Sequence, residues 1–588
     1  MSQIINASKP DDGRQQPGAD VGDCKDVEKL ELETRNPGPS TGGSGNLISA
    51  DPPPSGVECG VDDDDDDSRK PPTDLPFSKA RCIALVATVT GASFLNILSI
   101  QSVVIILPSI GQDLNIPDSR LQWVVSSYAL TFGCFLLLWG RIADIYGKRR
   151  IFIWGSGFVA ATMIANPFLP NEIAFNFFRG LQGLGAAANV PTAIGILGTT
   201  FPPGKAKNYA FSAYAAGSPL GSVFGNLIAG FIASYANWRW VFGATGGLAI
   251  AITAAGIFCI PPSPPRAAGE KGDLSLLKSV DWTGGALVTL SLLALLFALT
   301  EGNTVGWSTV WIYMLIVISI LLLTMFVFWQ WYQEAHTTSK PLMKVSMFKN
   351  LRFSAAMVIM ALFFAAFNDF ILYATYFFQD YQGLSALQTT LRFIPTGASG
   401  VITAFIVSHL ISRVPTWMLL LFGHLCVSIS CIIFSVPIPD DTSYFAYGLP
   451  AFILSVIGAD IAWPSLTLFT SKTLSQDDQA LGGALVNAMG QIGRAVGLAL
   501  TTAIQTAVMA RERGVPVEKS GRIVAWDPAS LHGIRAANWF NCALALSGMV
   551  LVGVAFRGTG IVGKIEKPPA SSGEEAMMNQ IDNNARRV

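Results

Sequence analysis

The sequence predicts an all-α integral membrane protein of fourteen transmembrane helices, built as two parallel six-helix bundles with two helices inserted between them. Three observations lead there. Of 588 residues, 51% are hydrophobic and 13% charged, against roughly 25% charged in an ordinary soluble domain. Fourteen runs are each apolar for long enough to cross a hydrocarbon core about 30 Å thick. A set of glycines, prolines and polar residues also recurs at one fixed offset along the chain.

The elements follow in chain order. Residues 1–80 hold the run "VDDDDDDSRK" and many Pro, Gly and Ser, too little apolar surface to offset chain entropy, so they are expected to be a disordered acidic tail. The start, "MSQIINASKPDDGRQQ", lacks the apolar stretch of a cleavable signal peptide. The predicted spans are 82–108, 121–142, 150–168, 173–198, 208–234, 239–261, 282–300, 308–332, 353–379, 386–411, 416–436, 444–471, 481–509 and 537–556. They divide the chain into an N-terminal bundle (81–262), a linker with the two inserted helices (263–340), a C-terminal bundle (341–557) and a second tail (558–588).

Lys and Arg assign the two faces, because cytoplasmic loops accumulate them. Loops after even-numbered spans carry Arg141, Lys148, Arg149, Arg150, Lys205, Lys207, Arg266, Lys271, Lys278, Lys340, Lys344, Lys349, Arg352, Arg413 and Lys472. Loops after odd-numbered spans carry almost none until the last, "RERGVPVEKSGRIVAWDPASLHGIR". Even loops are therefore expected inside, both termini in the cytoplasm, and the longest outside loop between spans thirteen and fourteen, with Ser520 accessible in it. The plasma membrane is the expected location, a vacuolar membrane the alternative.

The duplication rests on spacing. "GAAANVPT" sets Gly185 six residues before Pro191, and "GADIAWPS" sets Gly458 six before Pro464, an offset of 273. Gly221 and Gly225 in "GSPLGSVFG" match Gly493 and Gly497 in "GQIGRAVG" at an offset of 272. Asn96 falls on Asn368 and Arg141 on Arg413 at that same shift. Each half begins on the same side, so the repeats are parallel.

The eight cysteines (Cys24, Cys59, Cys82, Cys134, Cys259, Cys426, Cys431, Cys542) show no CxxC spacing, and the four histidines no HExxH. Packing is their expected role, with no metal or cofactor. No phosphate-binding GxxxxGK[ST] occurs, and no nucleophile, base and orienting group cluster, so the chain is not expected to be an enzyme.

Between two apolar runs lies "WGRIADIYGKRRIF". Gly140 and Gly147 permit close backbone approach and a sharp turn, while Lys148, Arg149 and Arg150 anchor the inner face. A loop that merely sets topology needs those cations but neither Asp144 nor two glycines. Arg179 lies inside span four, where an arginine costs about 3 kcal/mol. Gln182 shares its face. The pair faces a cavity, or else Arg179 bonds backbone carbonyls. Gly217, Gly221 and Gly225 in span five, with Pro219 as a kink, give a face for close helix crossing. Asp369, Asp460, Arg392 and Arg494 stand at apparent membrane depth. Buried carboxylates exchange protons near neutrality, so Asp369 and Asp460 are candidate proton sites. The alternative for Asp460 is a structural bridge to Arg494. Arg392 is expected to snorkel to an interface.

From about Ala80 to Arg557 the chain resembles the major facilitator superfamily, specifically the fourteen-spanner drug:proton antiporters of fungi. "GRIADIYGKRR" resembles the family's loop between helices two and three, "RGLQGLGAAANVP" its fourth-helix motif, and "GSPLGSVFGNLIAG" its fifth-helix antiporter motif. The resemblance implies the major facilitator fold. It implies that Asp144, with Gly140, Gly147, Lys148 and Arg149, latches the outward-facing state against basic groups and a helix N-terminus of the other half. It further implies that Arg179 exchanges partners during proton coupling, and that the glycine faces of spans five and thirteen seal the boundary between halves. Many relatives carry an acid on the first helix where this chain has Ser99. Proton coupling must then use another site, such as Asp369, Asp460 or Arg494. Asn96, Gln101, Gln182, Asn368, Tyr373 and Trp463 are the candidates for lining a substrate cavity, beside Phe94, Phe367 and Tyr376. Such a lining suits an uncharged or amphipathic organic molecule. The expected function is proton-coupled export of small organic compounds, with a nutrient symporter or a non-transporting sensor as alternatives. The expected partners are that organic substrate, protons and the lipid bilayer, with no nucleic acid; the chain is expected to act as a monomer.

Overall fold

In a computed structural model, residues 77–562 are described, apart from 117, 122, 203, 263–279, 338–340 and 439–441. The acidic tail up to 76, most of the linker ahead of the inserted helices, and the tail from 563 lie outside the described residues, as do Cys24 and Cys59. Among the described residues there are fourteen long helices and no strand. They are α1 (Lys79–Asp113), α2 (Trp123–Tyr146), α3 (Lys148–Ala165), α4 (Glu172–Thr200), α5 (Lys205–Tyr235), α6 (Arg239–Cys259), α7 (Trp282–Val305), α8 (Val310–His336), α9 (Leu351–Tyr376), α10 (Ala386–Leu410), α11 (Thr416–Ser435), α12 (Tyr444–Thr473), α13 (Gln479–Arg513) and α14 (Pro528–Ala555).

Thirteen of them are long and apolar enough to cross a membrane by themselves. The exception is α4, whose Arg179, Gln182 and Asn189 are buried. A helix surrounded by protein tolerates polar side chains that find partners there, whereas a lipid-facing helix does not.

Helix pairing repeats between the halves. The pairs α1–α5, α2–α4, α3–α4 and α3–α6 recur as α9–α13, α10–α12, α11–α12 and α11–α14. Pairs that join the halves include α2 with α13 and α5 with α10, and these two are equivalent under the eight-helix shift. Glycines set how closely the helices cross. A Cβ at Gly217 or Gly225 would lie 2.8 Å from the carbonyl oxygen of Thr90 or Leu98, so the glycine face of α5 is filled by α1. On α13, a Cβ at Gly497 would lie 2.6 Å from Ala365 Cβ of α9. Both stripes therefore work inside their own halves. The expected sealing of the boundary by these glycines is corrected, since α1 and α9 already occupy the bare faces.

The inserted α7–α8 hairpin packs on α2 and α13, and Asp281 ties it together. Its carboxylate caps α7 through the Gly284 amide at 2.8 Å, and accepts from Trp329 Nε1 at 3.0 Å and Gln330 Nε2 at 2.6 Å. The outward face of α8 is a row of exposed apolar side chains such as Met314, Ile318, Leu321, Met325 and Phe328, as lipid contact requires.

The last helix starts earlier than hydropathy indicates. Asp527 accepts from the amides of Ala529 and Ser530, and Pro528 occupies the first turn, a capped start that polar residues do not interrupt. Gly514 ends α13 in the left-handed conformation, φ 66°. The connection thus shrinks to residues 514–527. Ser520 is buried there, its carbonyl accepting from Arg513, which corrects its expected accessibility.

Candidate functional site

At the end of the molecule that carries the even-numbered loops, α2 meets the start of α13. The first amides of a helix have no intrahelical partner and sit at the positive end of its dipole. Asp144, in the last turn of α2, supplies the acceptor. It takes the Ala480 amide at 3.1 Å and the Leu481 amide at 2.8 Å, with Lys148 Nζ at 2.9 Å. Gly140 lets the two helices approach, because a Cβ there would lie 2.6 Å from Ala484 Cβ. Gly147 turns the chain into α3 at φ 101°, a conformation that favours glycine.

Arg141 adds a second crossing. Its Nη1 lies 3.0 Å from Asp478 Oδ1, with side chains only 4% and 6% exposed, and Lys344 Nζ reaches the other oxygen of Asp478 at 3.0 Å. Asp478 was not among the residues the sequence singled out, and Lys344 stood there only as one of the loop cations. The signal was the acid pair in "SQDDQA", opposite the basic loop. Arg149 takes no part across the boundary; it donates to the Ile257 carbonyl at 2.6 Å within its own half. Arg413, the counterpart of Arg141 under the repeat, is exposed.

Inside the first half, Arg179 is fully buried. Its Nε donates to the Val124 carbonyl at 3.1 Å, its Nη1 to Gln182 Oε1 at 2.7 Å, and its guanidinium lies 4.9 Å from the Tyr128 ring centroid. Tyr128 in turn donates to Asn96 Oδ1. Asn96, Arg179 and Gln182 are thus brought into one network through Tyr128, which sequence reading missed. Arg179 thus bonds a backbone carbonyl, the second of the two alternatives for it, and shares Gln182 as a partner on its own helix. Gln101 lies elsewhere, donating to Ser222 at 3.1 Å between α1 and α5.

In the second half, Asp369 points into the seam of α9 with α13. The hydroxyl of Thr501 lies 3.1 Å from Asp369 Oδ2 and 3.1 Å from Asn541 Oδ1. One hydroxyl has one hydrogen for these two acceptors, and the group is satisfied either when Asp369 carries a proton or when the Asn541 amide, whose nitrogen has no partner, is turned toward Thr501. Tyr373 is buried beside them, donating to Gln505 at 3.1 Å. Asn368 donates to its own helix, to the Phe364 carbonyl at 2.9 Å. Arg392 lies over the Phe378 ring at 4.8 Å and donates to Gln382 at 3.2 Å.

Asp460 and Arg494 do not meet. Asp460 is 7% exposed and its Oδ2 has no hydrogen-bond partner, whereas Arg494 has Asp369 as its electrostatic neighbour. The expected alternative of a bridge between α12 and α13 is corrected, because the two side chains leave their helices in different directions. Arg494 is solvent-accessible. Trp463 stacks on Tyr214 of the other half, with centroids 5.5 Å apart.

Known proteins are consistent with this architecture. A family model described as Major Facilitator Superfamily matches residues 89–300 and 282–498. The chain is 29% identical to a low affinity ammonium transporter of Saccharomyces cerevisiae over 66% of its own length and 74% of the relative's. It is 26% identical to the efflux pump terG of Aspergillus terreus, over 81% and 87%. A solved structure described as the proton:xylose symporter XylE superposes with a TM-score of 0.57 at 13% identity, covering 83% of this chain and 98% of the other.

Proposed function

The chain belongs to the major facilitator superfamily, and on that premise we propose that it exports small organic compounds in exchange for protons by alternating access. The observation that carries this reading is the double crossing at the ends of α2 and α13. Asp144 binds a helix start of the other half, and Arg141 and Asp478 pair beside it. Contacts that close one end of a boundary between two halves favour one of two conformations by their own free energy, which is what a carrier needs to alternate. With the even-numbered loops in the cytoplasm, the closed end is the inner one and the conformation faces outward. The bundles 81–262 and 341–557 rock about this boundary as units, in the plasma membrane or a vacuolar membrane, and a monomer suffices.

The relative named an efflux pump supports export, and the buried carboxylates Asp369 and Asp460 support protons as the driving ion. The relative named for ammonium supports a second reading, uptake of a small nutrient with protons. Direction of flux separates them. In sealed proteoliposomes loaded with a panel of fluorescent organic compounds, a pH gradient should drive the compound opposite to the proton. Movement of compound and proton together establishes the second reading, and the absence of any gradient-driven movement removes proton coupling.

A further inference from the structure

Three helices from both halves meet near mid-depth. Pro219 stands inside α5, Gly400 inside α10 and Asp460 inside α12. They are in contact. A Cβ at Gly400 would lie 2.7 Å from Pro219 Cβ and 3.3 Å from Asp460 Oδ2. The boundary is therefore packed to the van der Waals limit directly over a carboxyl group whose buried oxygen Oδ2 has no partner. Pro219 also lacks an amide hydrogen, which frees the carbonyl of Ala215 and lets α5 bend at this level.

A bare carboxylate is not tolerated in such a place. An ion without a counter-charge costs several kcal/mol to bury, and a carboxyl group avoids that cost by holding its proton. The neighbours offer no counter-charge. On α10 the nearest ionisable groups are Arg392 and His409, each about two helical turns from Gly400. Other ionisable groups on the helices packed against α12 include Tyr209 and Tyr214 on α5, His424 on α11, Asp369 on α9 and Arg494 on α13. None of these forms an ion pair or hydrogen bond with Asp460 among the described residues. The seam site differs: Asp369 has Thr501 as a fixed partner within one half, so it need not lose or gain water when the halves separate.

On the even-loop side of Asp460 the boundary is shut twice. Tyr214 stacks on Trp463 at 5.5 Å, and nearer the end Tyr209 Oη lies 3.1 Å from His409 Nε2, between α5 and α10.

We infer that Asp460 is the residue that carries the transported proton, and that the contact of Pro219 with Gly400 is the element that reads its charge. This rests on the reading of the chain as a proton-coupled carrier. Protonated, Asp460 fits under the closed α5–α10 boundary. The proton leaves to bulk water when the Tyr214–Trp463 stack parts and water reaches the carboxylate from the inner side; it is replaced from bulk water on the outer side.

The test reads conformation, so it requires no known substrate. In the full chain, with native cysteines replaced and Lys205→Cys and Arg413→Cys spin-labelled at the inner ends of α5 and α10, distances are measured in lipid nanodiscs. The range is about pH 5 to 9, where a buried carboxyl group titrates. Raising pH should move population from the short to the long distance, by up to ~10-fold per pH unit for one proton. Asp460→Asn should hold the short distance at every pH, and Asp369→Asn should keep the response. A responsive Asp460→Asn beside an unresponsive Asp369→Asn transfers the proton to the seam and overturns the inference. A parent chain without any response overturns proton coupling itself. Should Asp460→Asn fail to insert, Asp460→Glu must displace the midpoint; an unchanged midpoint overturns the assignment.

Discussion

The amide of Leu481 donates to the carboxylate of Asp144 at 2.8 Å, across 337 positions of chain. A charge at a helix N-terminus contributes up to about 2 kcal/mol in partly buried geometry, roughly thirtyfold in a conformational ratio. Asp144→Asn keeps the size and loses the charge, so it should insert normally and reduce flux by about tenfold or more. Normal flux from a well-expressed Asp144→Asn chain would reduce the segment to a topology signal.

The Arg141–Asp478 pair is nearly dry, and breaking a buried pair from one side costs about 3–5 kcal/mol. Arg141→Gln or Asp478→Asn should each open the closed end, read as faster alkylation of a cysteine placed at Ala484. The exchanged pair, Arg141→Asp with Asp478→Arg, should recover part of the protection. Equal alkylation in the single variants and the parent chain would show that the pair does not hold the boundary.

Gly497 lets α13 approach α9, since a Cβ there would lie 2.6 Å from Ala365 Cβ and 2.8 Å from Asp369 Oδ2. Overpacking of this kind costs about 1–3 kcal/mol. Gly497→Val should lower the thermal midpoint in detergent by several degrees, while Gly553→Val, at an open position, should not. Equal midpoints for the two variants would contradict the close crossing.

The loop between α13 and α14 carries its own pH dependence. Hydrogen bonds from Arg513 (2.5 Å) and Ser530 hold the Asp527 carboxyl down to about 2, below its unfolded value of about 3.9. The sign follows from linkage: the contribution is complete above about pH 4 and disappears as pH falls through about 2. Hydrogen-exchange protection in residues 514–527, taken relative to the intrinsic rate at each pH, should therefore fall on acidification over that window. Asp527→Asn should show the fast exchange already at neutral pH, and a slow, pH-independent loop would refute the cap.

Sidedness is open to direct labelling. Val524, 54% exposed in the same loop, replaces the buried Ser520 as the reporter. In a cysteine-free background, Val524→Cys should react with an impermeant maleimide on intact cells, and Ser40→Cys only after permeabilisation. The reverse pattern would invert the orientation and place the Asp144 end outside.

The sequence by itself determined the long apolar runs and the repeat, while a crossing at "GRIADIYGKRR" was what the family resemblance implied. Hydropathy is a property of each run, and a glycine six residues before a proline is legible without knowing what either touches. The start of α14 was misplaced because a capped helix extends beyond its apolar part, as Asp527 and Pro528 do here. The resemblance implied a helix N-terminus of the other half as the partner of Asp144, but that Ala480 and Leu481 supply the amides was beyond reading, since backbone amides leave no mark in side-chain chemistry. Only the tertiary structure decided that Arg494 faces Asp369 and that Asp460 stays alone beneath Pro219 and Gly400. Which way a side chain leaves its helix depends on the rotation of that helix about its axis. That rotation is set by close approach to all its neighbours at once, and no single run of residues encodes it.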